Sequence, residues 1–159
     1  MSALVVGWGN PIAGDDAVGL KAADAVAERV VEERLGGIDV IVTSEGGLRL
    51  AERTLGYERV LVLDARIGDA ADETLSIERI APRDGETAAS ATRHDGSLAD
   101  ALGVLRALRS TQLPAEVVLL SVPIEAPTAW SEEMSKTADA AAARLADAAL
   151  RELEGIALG

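Results

Sequence analysis

The chain has 159 residues, the size of one ordinary domain, and its 48% hydrophobic and 26% charged residues are the balance of a folded globular protein. Fifteen Lys and Arg against 27 Asp and Glu give a net charge of −12, which argues against binding to nucleic acids or to anionic membranes. The absence of Cys excludes thiol nucleophiles, disulfides and Cys-ligated zinc, and the single His excludes a His-rich metal cage. Because only 2% of the residues are aromatic, the core must be built from Ala, Val, Leu and Ile.

The first half of the chain alternates short apolar runs with segments of helical periodicity. The apolar runs are continuous rather than alternating, which is typical of buried parallel strands. In chain order, the pattern predicts a strand at 3–6, a helix at 17–35, a strand at 38–42, a short helix at 48–55 and a strand at 60–63 that ends at Asp64.

The second half begins with an alternating segment at 74–80, which is typical of a half-exposed edge strand. The elements predicted after it are a long polar loop at 81–96, a helix at 97–108 capped by Asp95 or Ser97, a strand at 117–121, a loop at 122–130 and a closing helix at 131–153 opened by a capping box at Ser131. This alternation of strands and helices predicts one α/β domain with a parallel sheet between helices.

The N-terminus carries no basic segment ahead of its short apolar run, and no stretch approaches the roughly 20 apolar residues of a membrane helix. We therefore expect a soluble, cytoplasmic protein.

Several polar side chains follow the predicted parallel strands, where ligands of α/β sheets bind. The chain carries Gly9, Asn10, Asp15 and Asp16 after strand one, Glu45 after strand two, Asp64 after strand three, and His94 in the long loop. These residues are expected to open on one edge of the sheet, so that carboxylates and the sole imidazole converge there.

Two other kinds of site fit the residues poorly. A dinucleotide-binding Gly-x-Gly-x-x-Gly pattern would need Gly where Ile12 stands, and the adjacent acid pair would repel a pyrophosphate. A Ser-His-Asp hydrolase would pair His94 with Ser44, Ser90 or Ser97, but the Gly-x-Ser-x-Gly elbow is missing. Helix capping also explains Ser97.

The acids and the histidine can serve either structure or chemistry. Of two adjacent acids only one can cap the following helix, which leaves the other to point into the cleft. Asp64 ends an apolar strand, where a carboxylate is costly without a partner and a cation is a natural one. Asp16, Asp64 and His94 together supply two hard oxygens and one nitrogen, which can bind a divalent transition ion while leaving coordination positions open. The residues alone leave the metal site and the purely structural roles both open.

The same motifs resemble those of the maturation endopeptidases of nickel–iron hydrogenases. In that family a strand is followed by Gly-x-Gly-Asn and an acid pair before a helix, as at 7–10 and 15–16 here. Its remaining motifs are a Gly-Gly turn, a hydrophobic-Asp-Ala triplet and a His shortly before a Ser-Leu-x-Asp-x-Leu helix, which correspond to Gly46 and Gly47, to Leu63, Asp64 and Ala65, and to His94 before 97–102. The similarity spans nearly the whole chain.

The resemblance implies a three-layer α/β/α sandwich with a five-stranded, mostly parallel sheet and one antiparallel edge strand. It also implies an endopeptidase of aspartyl, metal-assisted type that removes a short C-terminal extension from the nickel-loaded large-subunit precursor. Asp16, Asp64 and His94 would be the catalytic and metal-binding residues. The divalent ion would be nickel supplied by the substrate, with zinc or cadmium as substitutes in crystals.

The supporting residues implied by the resemblance are Gly9, Asn10, Asp15 and Glu45, of which Asp15 and Glu45 are also possible general bases. The partner would be the large-subunit precursor, with no nucleic acid and no membrane insertion, and the chain would be a monomer or weak dimer. The alternative is a non-catalytic chaperone of the same fold that binds the metal or the precursor. A nucleotide-binding α/β enzyme is a third, weaker possibility.

Overall fold

The computed structural model describes residues 2–12, 14–69, 71–83, 94–108, 111–125 and 133–157, with the side chains of 94–97 and 156–157 outside that description. The elements are β1 (Ala3–Trp8), a 3-10 turn (Gly14–Ala17), α1 (Val18–Glu32), β2 (Ile38–Thr43), α2 (Gly47–Arg53), β3 (Arg59–Ile67), β4 (Ser76–Arg79), α3 (His94–Ala107), β5 (Glu116–Ile124) and α4 (Lys136–Ala157).

The five strands form one sheet in the order β2-β1-β3-β5-β4. Neighbouring strands pair in parallel, except that β4 pairs antiparallel with β5 at one edge. The predicted α/β sandwich with one antiparallel edge strand is therefore confirmed, and the alternating segment is that edge strand.

Helices cover both faces of the sheet, and the strand side chains alternate between them. In β1 and β3, Ala3, Val5, Leu61 and Leu63 pack in the core beneath α1 and α4. The intervening Leu4, Val6, Val60 and Val62 pack beneath α2 and α3. Both cores are aliphatic, as the composition predicts, with the indole of Trp8 added to the second.

Helix α1 lies directly on the sheet because two glycines remove the side chains that would separate them. A Cβ on Gly19 would stand 2.2 Å from the carbonyl oxygen of Leu63 and 2.6 Å from that of Trp8. A Cβ on Gly7 would stand 2.5 Å from the Cβ of Ala23. Gly7 of β1 and Gly19 of α1 thus allow close packing of the helix on the sheet.

Strands β3 and β5 are longer than their apolar runs predict. The predicted ends at 63 and 121 are wrong, because residues 64–67 of β3 pair with residues 121–124 of β5. Asp64 therefore lies inside β3 rather than after it, and the predicted loop from 122 begins later.

The helix starts also differ from the prediction. Helix α4 begins at Lys136, and the Oγ of Ser135 accepts the N–H of Ala138 at 3.2 Å, so Ser135 is the cap and a helix start at Ser131 is wrong. Helix α3 begins at His94, which places Asp95 and Ser97 in its first turn instead of before it. Helix α1 begins and ends inside the predicted 17–35 span, and Arg34 adopts the left-handed conformation beyond its end.

Most of the predicted polar loop, including Ser90, lies outside the described residues, as do residues 126–130 of the loop after β5. Among the helices of the described ranges, none combines the length and apolar content needed to cross a membrane.

Candidate active site at the carboxyl edge of the sheet

The chain runs from β1 to β2 on one side and returns to β3 on the other side of β1, so β1 and β3 flank a topological switch point. Gly7 is in register with Leu63, and Trp8 is in register with Thr43. Asp64, the next residue of β3, therefore stands level with the last residues of β1 and β2. Its predicted position at the carboxyl edge is correct, although β3 itself continues beyond it.

Asp64 is buried, with only 4% of the residue exposed. Its Oδ1 accepts the N–H of Ala65 at 2.8 Å, which fixes the orientation of the group. By strand alternation Asp64 shares the face of Val62, beneath α2 and α3, and Ser121 of β5 stands beside it in register. A carboxylate buried in this way is a costly feature that function can explain.

Asp16 lies in the 3-10 turn that precedes α1, and this turn contacts β3. The Oδ2 of Asp16 accepts the N–H of Asn10 at 3.1 Å, while the Oδ1 of Asn10 accepts the N–H of Ile12 at 3.1 Å. A Cβ on Gly9 would stand 2.3 Å from the carbonyl oxygen of Asp16. Gly9 and Asn10 thus hold the turn that carries Asp16 beside β3.

Asp15 faces a different element from its neighbour. Its carboxylate accepts the N–H of Ser135 at 2.8 Å and the hydroxyl of Ser135 at 2.9 Å, just before α4. The N-cap of α1 is Ala17, with no side-chain cap bond. The expectation that one of the two acids caps α1 is therefore wrong, because Asp15 instead binds the start of α4.

The Gly-Gly turn after β2 packs against the indole of Trp8. Gly46 lies against the indole, since a Cβ there would stand 3.2 Å from Cζ2 of Trp8, and Gly47 has a φ of 57° that favours glycine. The carboxylate of Glu45 lies 3.7 Å from the guanidinium of Arg49 and 3.6 Å from that of Arg53. Glu45 therefore sits near the site in a small cluster with two cations.

His94 is the first residue of α3, whose side chains pack on the same sheet face as Asp64. Because a short connection joins α3 to the start of β5, the beginning of α3 lies at the carboxyl edge. The imidazole itself lies outside the described side chains. Among the side chains that are described, no group of three or more His, Asp or Glu is arranged to hold a metal, so ligation by Asp16, Asp64 and His94 together stays a prediction.

Three residues of this edge carry no signal in the sequence. Arg66 donates to the carbonyl oxygen of Ser121 at 2.7 Å and to that of Thr74 at 2.5 Å, which ties β3 and β5 to the segment before β4. In the sequence, Ser121 is the last residue of a predicted strand and Trp8 lies between two glycines, and neither position indicates a functional role. Their proximity to Asp64 depends on strand register, which only the pairing of distant segments sets.

The sheet order, the two helix layers and the acidic carboxyl edge together define an α/β/α protein with the fold of the hydrogenase maturation proteases. The hydrogenase maturating endopeptidase HybD from E. coli is similar with a TM-score of 0.69 and 22% identity, over 96% of this chain and 93% of that one. The NiFe hydrogenase maturation protease HybD from Thermococcus kodakarensis gives a TM-score of 0.67 at 23% identity, over 95% and 98% of the two chains.

A third similar structure is the hydrogenase 2 maturation peptidase from Thaumarchaeota archaeon SCGC_AB-539-E09, with a TM-score of 0.66, 26% identity, and coverage of 96% of this chain and 98% of that one. No family model matches the chain, and no curated protein sequence matches it. The resemblance indicated by four short motifs is thus supported by the fold, over nearly the full length of this chain and of each of the three similar structures.

Proposed function

We propose that this chain is an endopeptidase that removes a short C-terminal extension from the nickel-loaded large-subunit precursor of a nickel–iron hydrogenase. The observation that carries the proposal is the buried carboxylate of Asp64 at the switch point of a maturation-protease fold, with the Asp16 turn packed against the same strand. The similar structures are those of hydrogenase maturation proteases, and this supports a hydrogenase precursor as the substrate.

In this proposal Asp16, Asp64 and His94 contact the nickel that the precursor already holds. Carboxylate oxygens and an imidazole suit a divalent transition ion, and three donors leave positions for the ligands of the substrate. Precursor that lacks nickel then binds weakly, so that cleavage waits for insertion of the metal. We place the reaction in the cytoplasm and the enzyme in a monomeric or weakly dimeric state.

The peptide bond is hydrolysed by a water molecule whose proton passes to a carboxylate and then to the leaving amine. Asp15 is engaged by the start of α4, and Glu45 is clustered with Arg49 and Arg53, so both are poorly placed to take this proton. The general base is therefore Asp16 or Asp64, and the peptidase is of the aspartyl type.

The test is mass spectrometry of a nickel-loaded large-subunit precursor incubated with the protein. We expect loss of a C-terminal peptide with the wild type, and no loss when the precursor lacks nickel. Asp16→Asn, Asp64→Asn and His94→Ala should each abolish processing while the far-UV circular dichroism spectrum is unchanged. Asp24→Asn, at an exposed position of α1, is the matched control and should cleave normally.

Two outcomes would contradict the proposal. Stable co-purification with the precursor and no change of its mass would indicate the non-catalytic chaperone instead. Cleavage by Asp64→Asn at close to the wild-type rate would show that the carboxyl edge is not the reacting site.

A further inference from the structure

Strand β2 is an edge strand of the sheet and directs some of its backbone hydrogen-bonding groups outward. The N–H of Ala3 donates to the carbonyl oxygen of Gly37, and the N–H of Gly9 donates to that of Thr43. In a parallel ladder the residues that face the neighbour alternate, so Val40 and Val42 direct both N–H and C=O away from β1. In the described ranges no strand lies on that side of β2.

A groove of about 320 Å³ adjoins the carboxyl end of this edge. Gly9 and Pro11 line it from the loop after β1, Leu20 from α1, and Val42 from β2. Val42 is 52% exposed although it is a large aliphatic residue in a strand. Thr43, Ser44, Glu45 and Arg53 complete the lining, and Glu45 and Arg53 lie 3.6 Å apart. The groove therefore offers both apolar and polar contacts to one side chain.

We propose that the outer edge of β2 binds an extended segment of the precursor as an added strand, with one side chain of that segment in the groove. This inference rests on the proposed function, because it takes the precursor as the occupant. Backbone pairing of this kind provides affinity, and a side-chain pocket beside it provides selectivity. The net charge of −12 favours a segment of net positive charge.

The strand spacing gives the distance from this segment to the reacting centre. An added strand is separated from β3 by β2 and β1, which amounts to three spacings or about 14 Å. An extended chain advances about 3.3 Å per residue, so the scissile bond lies roughly four to five residues from the residue that pairs with Val42.

The first test compares proline substitutions on the two edge strands during cleavage of the nickel-loaded precursor. Val42→Pro removes an outward N–H, and we expect KM to rise roughly tenfold with kcat unchanged. Ile77→Pro in β4 is the matched control. The N–H of Ile80 donates to the carbonyl oxygen of Val117, so Ile80 faces β5. Because the residues of an antiparallel strand face the neighbouring strand alternately, the N–H of Ile77 points outward. Ile77 is also 52% exposed, like Val42. The Ile77→Pro variant should leave KM unchanged.

The second test measures amide hydrogen exchange in the complex of the nickel-loaded precursor with the cleavage-deficient Asp64→Asn variant, at a precursor concentration at which co-purification shows that the complex has formed. The amides of Val40 and Val42 should slow at least about tenfold on binding, and the amides of β4 should not. If the wild type cleaves the precursor but Val42→Pro keeps its KM and the β2 amides are unaffected, the added strand is wrong while the peptidase stands. If the wild type does not cleave, the proposed function itself fails.

Discussion

The first turn of α1 lies on the backbone of β1 and β3 because Gly19 has no side chain. A Cβ at this position would approach two carbonyl oxygens to 2.2 Å and 2.6 Å, and backbone cannot move aside as a flexible side chain can. We expect Gly19→Ala to lower the free energy of unfolding by about 1–3 kcal/mol, measured by urea denaturation.

Gly155 of α4 is the matched control for that measurement, because a Cβ there meets nothing within 4 Å. Gly155→Ala should be neutral or should stabilise the protein by up to about 1 kcal/mol, since alanine is the better helix former. Equal losses in the two variants would show that Gly19 has no special packing role.

At the residue scale, the sequence identifies Asp64 and Asp16 correctly as residues of one sheet edge. The parallel pattern alone places the ends of β1 and β3 together, so no distant information is needed. The separate partners of Asp15 and Asp16 are not predictable in the same way. Ser135 lies 120 positions away from Asp15, and only the folded arrangement of α1 and α4 brings it close.

Among the elements, the start of α4 depends on a contact from the turn before α1. Both carboxylate oxygens of Asp15 accept from Ser135, and Ser135 in turn accepts the N–H of Ala138. We expect Asp15→Ala and Ser135→Ala each to destabilise the protein by about 1 kcal/mol, and the double variant to lose less than the sum. Urea denaturation of the wild type, the two single variants and the double variant gives the coupling free energy between Asp15 and Ser135.

The same variants separate the roles of the two adjacent acids. Asp15→Ala should retain processing of the precursor at a temperature where the protein is folded, whereas Asp16→Asn should not. Loss of processing in folded Asp15→Ala would place Asp15 in the reacting site and would contradict its structural role.

Element type and order follow from the sequence, but several element ends do not. Strands β3 and β5 extend past their apolar runs because each supplies the pairing partner of the other over residues 64–67 and 121–124. Helix α4 begins where Ser135 caps it, although the residues at 131–134 look equally suitable in isolation. Such ends are decided by tertiary pairing and not by local propensity.

For the whole molecule, the net charge of −12 lowers the stability of the folded state, because folding brings like charges closer together. The Debye length falls from about 30 Å at 0.01 M salt to about 8 Å at 0.15 M, so added salt screens repulsion between distant carboxylates. We therefore expect the melting temperature to rise over this range of sodium chloride concentration, measured by differential scanning calorimetry.

A variant of lower charge provides the comparison. Asp24 and Glu28 are exposed on α1, and their joint replacement by lysine removes two carboxylates and adds two ammonium groups. The melting temperature of this variant should respond less to salt. A melting temperature that falls with salt in the wild type would mean that attractive surface pairs outweigh the overall repulsion.

The two sides of the carboxyl edge are packed against different kinds of neighbour. On the α1 side, Gly19 lies against main-chain carbonyls of two strands, so this contact is backbone against backbone. On the α2 side, the turn at Gly46 lies against the ring of Trp8, so this contact is backbone against a side chain. A methyl group is therefore accommodated more easily at position 46, where the neighbour has to yield by only a few tenths of an ångström, than at position 19, where it would overlap two carbonyl oxygens.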